Sequence, residues 1–272
     1  MKTVDIIIFG GQSNMQGQSE RLSECEAIDG ALEYRLLTDT LVPLKNPVGE
    51  FIRKDGTEGY SFFIQQIKTE HLEMLKEWVA AHALAGASNG YTNLVPSFCR
   101  EYIKATGSSV IAVHAAKGST EIGEWLPGSS GYEVLCKKAS GAILKAKESF
   151  KVGRILFVWL QGESDALKGN SKAYYKDRLF MLAEALRRDI GVEKFGIIRV
   201  GRFVHDDRDL EIIAAQDEVC IENTMFTMLT TLATELSEMP EYINPYAKGH
   251  FNAKGLETIG RAAGSALGES VL

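Results

Sequence analysis

Ser13 stands behind two glycines in the segment Gly10-Gly11-Gln12-Ser13-Asn14-Met15, directly after the apolar run VDIIIF. Glycines there permit a tight turn that presents a hydroxyl and free backbone N–H groups, which nucleophilic attack on a carbonyl needs. An ordinary glycine turn with Ser13 capping the next segment fits the same residues equally well. Gly118, in Ala116-Lys117-Gly118-Ser119-Thr120, either aims a backbone N–H into the same crevice or is a plain loop glycine. Gln161, Gly162 and Glu163 follow the apolar run ILFVWL, so polar groups lie at a buried strand end and need partners. They fit a catalytic constellation or a hydrogen-bond network that ties loops together. Asp165 reads as capping or loop-tying.

The chain has five histidines. His71 and His82 read as surface or packing residues and His114 as a core-edge histidine. His205, next to Asp206 and Asp207, raises the question of a metal, but no second histidine stands at ligand spacing. The sequence therefore predicts no metal site and no cofactor. His250, in GHFNAKG, enters the final helix. Nucleotide-phosphate binding lacks its signatures: there is no G-x-G-x-x-G and no G-K-[ST].

The elements that must position these residues alternate between strand and helix. Continuous apolar runs at Val4–Phe9, Val110–His114, Ile155–Leu160, Phe195–Val200 and Phe226–Thr230 have the pattern of strands covered on both faces. Helical patterns fill Pro96–Ala105, Tyr132–Phe150, Ser171–Asp189, Leu210–Ile221 and Ala253–Leu267, with Ser171 as an N-cap. This order predicts an α/β fold: a three-layer α/β/α sandwich around a doubly wound, five-stranded parallel sheet. In such sheets ligands bind at the carboxyl ends of the strands, where all the segments above begin. Residues 18–93, between the first two strands, exceed any single crossover and read as an insertion beside the site of one domain. Within it, Tyr60–Ala85 has the pattern of a long helix, and PLKNPVGE and RKDGTEG read as loop.

Composition agrees with a globular chain of 272 residues: 45% are hydrophobic and 24% charged. The net charge of -6, with no basic block, argues against nucleic-acid and anionic-membrane binding. No apolar stretch approaches a membrane span. Lys2 and Asp5 around the first apolar run do not make a signal peptide, and the four cysteines are scattered. Reduced thiols and a cytoplasmic location are the expectation; oligomeric state is not readable.

Four motifs together resemble the sialate O-acetylesterase-like group. That group overlaps carbohydrate esterase family six, within the SGNH hydrolase superfamily of flavodoxin-like folds. The motifs are GQSNMQG (Gly11–Gly17), GSTEIGEW (Gly118–Trp125), WLQGESD (Trp159–Asp165) and GHFNAKG (Gly249–Gly255). The resemblance implies a serine esterase that removes O-acetyl groups from a carbohydrate through an acetyl-enzyme. Ser13 would be the nucleophile and His250 its base. The N–H groups of Ser13 and Gly118 and the amide of Gln161 would form the oxyanion hole. Gln12, Asn14 and Trp125 are then candidates for contact with an acetylated saccharide, as are Tyr60 and Phe62 of the insertion. Many relatives carry an Asp shortly before the histidine; here Tyr246, Ala247, Lys248 and Gly249 stand there. The expected partner of His250 is Glu163, with Glu241 or a backbone carbonyl as alternatives. Two other readings remain: a non-catalytic carbohydrate-binding relative, and a lipid or thioester hydrolase of the same superfamily.

Overall fold

The computed structural model describes residues 1–17, 19, 25–49, 51–54, 58–61, 92–245 and 249–272. Strand β1 (Thr3–Gly11) lies at the centre of a seven-stranded sheet, between β6 (Ser109–Ala116) and β7 (Lys151–Leu160). β8 (Lys194–Ile198) and β9 (Phe226–Thr230) extend the sheet beyond β7, and all these pairings are parallel. The five parallel strands thus run β6-β1-β7-β8-β9, the 2-1-3-4-5 order of a flavodoxin-like sheet. The chain order reverses at β1, which opens a crevice beyond its carboxyl end.

The continuous apolar pattern of β1 follows from two buried faces. Ile6 and Ile8 face a core with Ile111, Val113, Phe157, Trp159 and Phe195. Ile7 and Phe9 face the opposite core with Val110, Ala112, Leu156 and Val158. Helices α3 (Ser130–Lys147), α5 (Lys172–Ile190) and α6 (Asp207–Glu222) cover the first face. α2 (Val95–Thr106) and α8 (Ala253–Ser270) cover the second and pack closely on each other. The Ser171 hydroxyl accepts from Tyr174 N–H at 3.3 Å and caps α5, as its sequence position suggests.

The sheet has seven strands rather than the expected five, because part of residues 18–93 joins it. β2 (Ala31–Arg35) pairs parallel with β6, and β3 (Thr40–Pro43) returns antiparallel to it through a turn with Asp39 at φ 49°. The sequence hides β2 because ALEYR carries two charges. Glu33 is nonetheless fully buried, accepting from Gly49 N–H at 2.8 Å and pairing with Arg35 at 3.0 Å. A second hairpin, β4 (Phe51–Lys54) with β5 (Glu58–Ser61), occupies part of the segment expected to be loop. Tyr60 and Ser61 therefore belong to a strand. The rest of the expected Tyr60–Ala85 helix, like Phe62, lies outside the described residues.

Candidate active site

Ser13 opens the four-residue helix α1 (Ser13–Gln16) where β1 runs out. The turn is held from both neighbouring strands. Gln12 N–H donates to Leu160 O at 3.1 Å, and Lys117 N–H donates to Gly11 O at 2.9 Å. Gly11 adopts φ 144°, and a Cβ on it would collide with the Leu160 carbonyl, so only glycine permits this approach. Beneath α1, His114 Nε2–H donates to Met15 O at 3.1 Å. Burial, followed by the charge of Lys138, pushes this imidazole down to about 3, so it stays neutral.

His250 reaches the same point from the opposite end of the chain, with its Nε2 2.8 Å from Ser13 Oγ across 237 residues of sequence. It precedes α8, whose cap Asn252 accepts from Gly255 N–H at 2.9 Å and donates to Glu241 O at 2.9 Å. Phe203 packs against the imidazole edge-on. The loop bearing Phe203 is tied to the buried carboxylate of Asp209, which accepts from the N–H groups of Phe203, Val204 and His205 at 3.2, 3.1 and 2.7 Å.

The structure brings Gly118 to Ser13. A Cβ built on it would lie 3.4 Å from Ser13 Cβ. Its N–H donates to Gln16 Oε1 at 2.8 Å, so a side-chain oxygen already sits at this donor. Gln161 is committed elsewhere. Its Nε2 donates to Asp165 Oδ2 at 2.6 Å and Thr120 O at 2.8 Å, and its Oε1 accepts from Tyr175 at 2.9 Å. As folded, the amide hydrogens of Gln161, expected at the oxyanion hole, serve a buried loop-tying network. Asp165 belongs to that network, accepting also from Ile122 N–H at 2.9 Å and Asn170 at 2.7 Å. Burial raises its carboxyl, and those hydrogen bonds oppose the rise.

Glu163, expected to orient His250 directly, meets Asn14 instead. Its Oε1 accepts from Asn14 Nδ2 at 2.8 Å, its Oε2 has no hydrogen-bond partner, and none joins it to His250. Burial pushes this carboxyl up; the Asn14 hydrogen bond pulls it down, while Asp165 and Asp209 push it further up. Glu241 makes no hydrogen bond with His250 among the described residues; its carbonyl serves Asn252. Residues 246–248, just before His250, lie outside the described residues.

The three expected substrate contacts are all buried. Trp125 is fully enclosed, edge-on to Trp159, and donates to Thr120 at 3.1 Å; it offers no surface to a sugar. Asn14 spends its amide on Glu163 and the His250 segment. Gln12 Oε1 accepts from Ser164 N–H at 3.1 Å and Gln161 Nε2 at 3.3 Å, so its oxygen is not free for substrate. Sequence reasoning gave no role to Phe203 or Asp209, which flank the His205–Asp207 group considered for metal ligation, and no local signature marks their place beside His250. Asp206 instead caps α6 and pairs with Arg208, and His205 meets Glu238. Among the described residues no cluster of three His, Cys, Asp or Glu side chains could hold a metal.

A flavodoxin-like sheet with a serine–histidine pair at its topological switch point has the architecture of a hydrolase. The family model described as carbohydrate esterase, sialic acid-specific acetylesterase, matches residues 3–267, and the chain belongs to that family. A probable carbohydrate esterase of Arabidopsis thaliana is 31% identical over 126 residues, 43% of this chain. That match spans 46% of the plant protein, under half its length. A solved structure of an Arabidopsis thaliana protein aligns over 97% of both chains, with TM-score 0.62 and 17% identity. The structure of NanS aligns over 98% of this chain and 97% of its own, with TM-score 0.64 and 13% identity. A carbohydrate acetylesterase from Xanthomonas citri aligns over 97% of this chain and 55% of its own, with TM-score 0.51 and 15% identity. At such identities the structural likenesses show the fold. No helix among the described residues is long and apolar enough to cross a membrane.

Proposed function

We propose that the protein is a serine carboxylesterase that removes O-acetyl groups from a saccharide through an acetyl-enzyme. The observation that carries the reading is the 2.8 Å hydrogen bond between Ser13 Oγ and His250 Nε2 at the switch point of the sheet. His250 Nε2 accepts the proton of Ser13 as Oγ bonds to the acetyl carbon. The carbonyl oxygen becomes an oxyanion and takes hydrogen bonds from Ser13 N–H and Gly118 N–H, the latter given up by Gln16. Collapse expels the sugar oxygen, which receives the proton from the imidazolium. Water then repeats the sequence on the acetyl-enzyme, releasing acetate and restoring the serine. The family supports an acetylated saccharide as substrate.

The test combines labelling with a substrate series. A serine-directed phosphonate should modify Ser13, read by peptide mass spectrometry, and Ser13→Ala should lose on the order of 10³-fold or more in kcat. Acetyl esters should be cleaved faster than octanoyl esters. Labelling at another serine, or an active Ser13→Ala, would overturn the nucleophile. A preference for octanoyl esters would favour the lipid hydrolase, and inactivity on all esters the binding relative.

A further inference from the structure

The hydrogen bonds around Asn14 form a clamp on both sides of His250. Asn14 Nδ2 donates to Glu163 Oε1 at 2.8 Å and, at 3.4 Å, to the carbonyl of Gly249, the residue before the histidine. Asn14 Oδ1 accepts from the N–H of Phe251, the residue after it, at 3.1 Å. Asn14 is itself the neighbour of Ser13, so one buried carboxamide joins the nucleophile's turn to the backbone that carries the base. An amide suits this position because it donates and accepts at once. Glu163 fixes which way the amide faces: a carboxylate oxygen takes only the NH2 end, leaving the oxygen for Phe251.

We propose that Asn14 is the positioning residue that sets the Ser13–His250 distance, and that Glu163 acts on His250 only through Asn14. This rests on the esterase reading above and deepens it. A displacement of His250 by about 1 Å can cost about 10²-fold in rate. Asn14→Ala should thus lower kcat by about that factor with little change in KM, since the clamp touches no substrate. Glu163→Gln should cost less than about tenfold, because a Gln carbonyl can still accept from Asn14. That is far smaller than removal of a charge directly bonded to a catalytic histidine, about 10⁴ in kcat.

The decisive variants exchange donor and acceptor. Asn14→Asp sets two carboxylates against each other and should lose activity. Combining it with Glu163→Gln restores a hydrogen bond, now running from Gln to Asp, and keeps the acceptor for Phe251 N–H. The double variant should recover at least tenfold in kcat over Asn14→Asp. Activity on an acetyl ester is read beside the rate of Ser13 phosphonylation and the melting temperature of each variant. Recovery of both rates supports the clamp. A double variant no better than Asn14→Asp, or Asn14→Ala with wild-type kcat, overturns it while leaving the nucleophile intact. Should Asn14→Ala not fold, the comparison of Asn14→Asp with the double variant decides. If wild-type Ser13 resists phosphonylation, the esterase reading falls and takes the clamp with it.

Discussion

The ring of Phe203 meets the imidazole of His250 edge-on, with centroids 6.0 Å apart and planes at 82°. The same ring covers Gly249, where φ is 78° and any Cβ would overlap the Phe203 edge. Phe203 therefore braces the His250 ring by shape. Phe203→Ala should lower kcat by about tenfold with a small change in KM, since the loss frees the imidazole to move. Gly249→Ala should do the same and also reduce thermal stability, because the backbone is left-handed there and the added methyl collides. Steady-state kinetics and melting curves check both. Unchanged kcat in both variants would show that the brace is dispensable.

Gln16 holds the acceptor position at Gly118 N–H, 2.8 Å away, that an acyl oxygen would take. Gln16→Leu should leave kcat/KM unchanged or raise it, since the acyl oxygen no longer competes with a resident carbonyl. Kinetics on one acetyl ester decides. A tenfold fall would mean that Gln16 instead fixes the Gly118 loop.

Gln161→Leu is expected to act on stability. Its amide satisfies Thr120 O, Asp165 and the Tyr175 hydroxyl inside the fold. Each buried polar group left unpaired costs about 1–3 kcal/mol. Urea unfolding should show a loss of more than about 2 kcal/mol. A stable variant with a collapsed kcat would return Gln161 to the oxyanion hole.

His114 should make the fold acid-sensitive. Its folded value of about 3 lies below the ordinary 6.5, so the unfolded chain binds the extra proton between those values. Its contribution is complete above pH 6.5 and is lost as pH falls toward 3, by at most about 1.4 kcal/mol per pH unit. Glu163 and Asp165, both raised, work in the opposite sense: their protonated forms favour the fold at low pH and that stability is lost as pH rises. His114→Gln removes only the first effect. Unfolding at pH 7 and pH 4.5 should show a smaller acid loss in the variant than in the wild type; equal losses would assign the sensitivity elsewhere.

Chain order and periodicity made most of the sheet legible. VDIIIF and ILFVWL could only be strands buried on both faces, and the order of strands and helices followed from them. Ser13 and His250 were readable from the motifs around them. β2 was not, because Glu33 is a charged residue whose burial depends on Gly49 and Arg35, and no local pattern announces such partners. The hydrogen-bond partners of Glu163 and Gln161 were not legible for a related reason. Sequence shows that polar groups gather at a strand end, but not which of them spend their hydrogen bonds on one another. Asn14 and Phe203 entered as constraints on His250 only once residues far apart in the chain were seen to meet.

Ser13 and His250 are separated by 237 positions, and His250 shortly precedes α8, which packs on α2. A ribosome thus exposes Ser13 early, and the imidazole that would activate it arrives only after the whole sheet has been synthesised. On the proposed reading, the Ser13–His250 pair comes into being only when the segment leading into α8 is in place. On the proposed esterase reading, turnover of a simple ester reports that these two segments have met, and it is sensitive to frayed or incompletely closed molecules that spectroscopic helix content would count as folded.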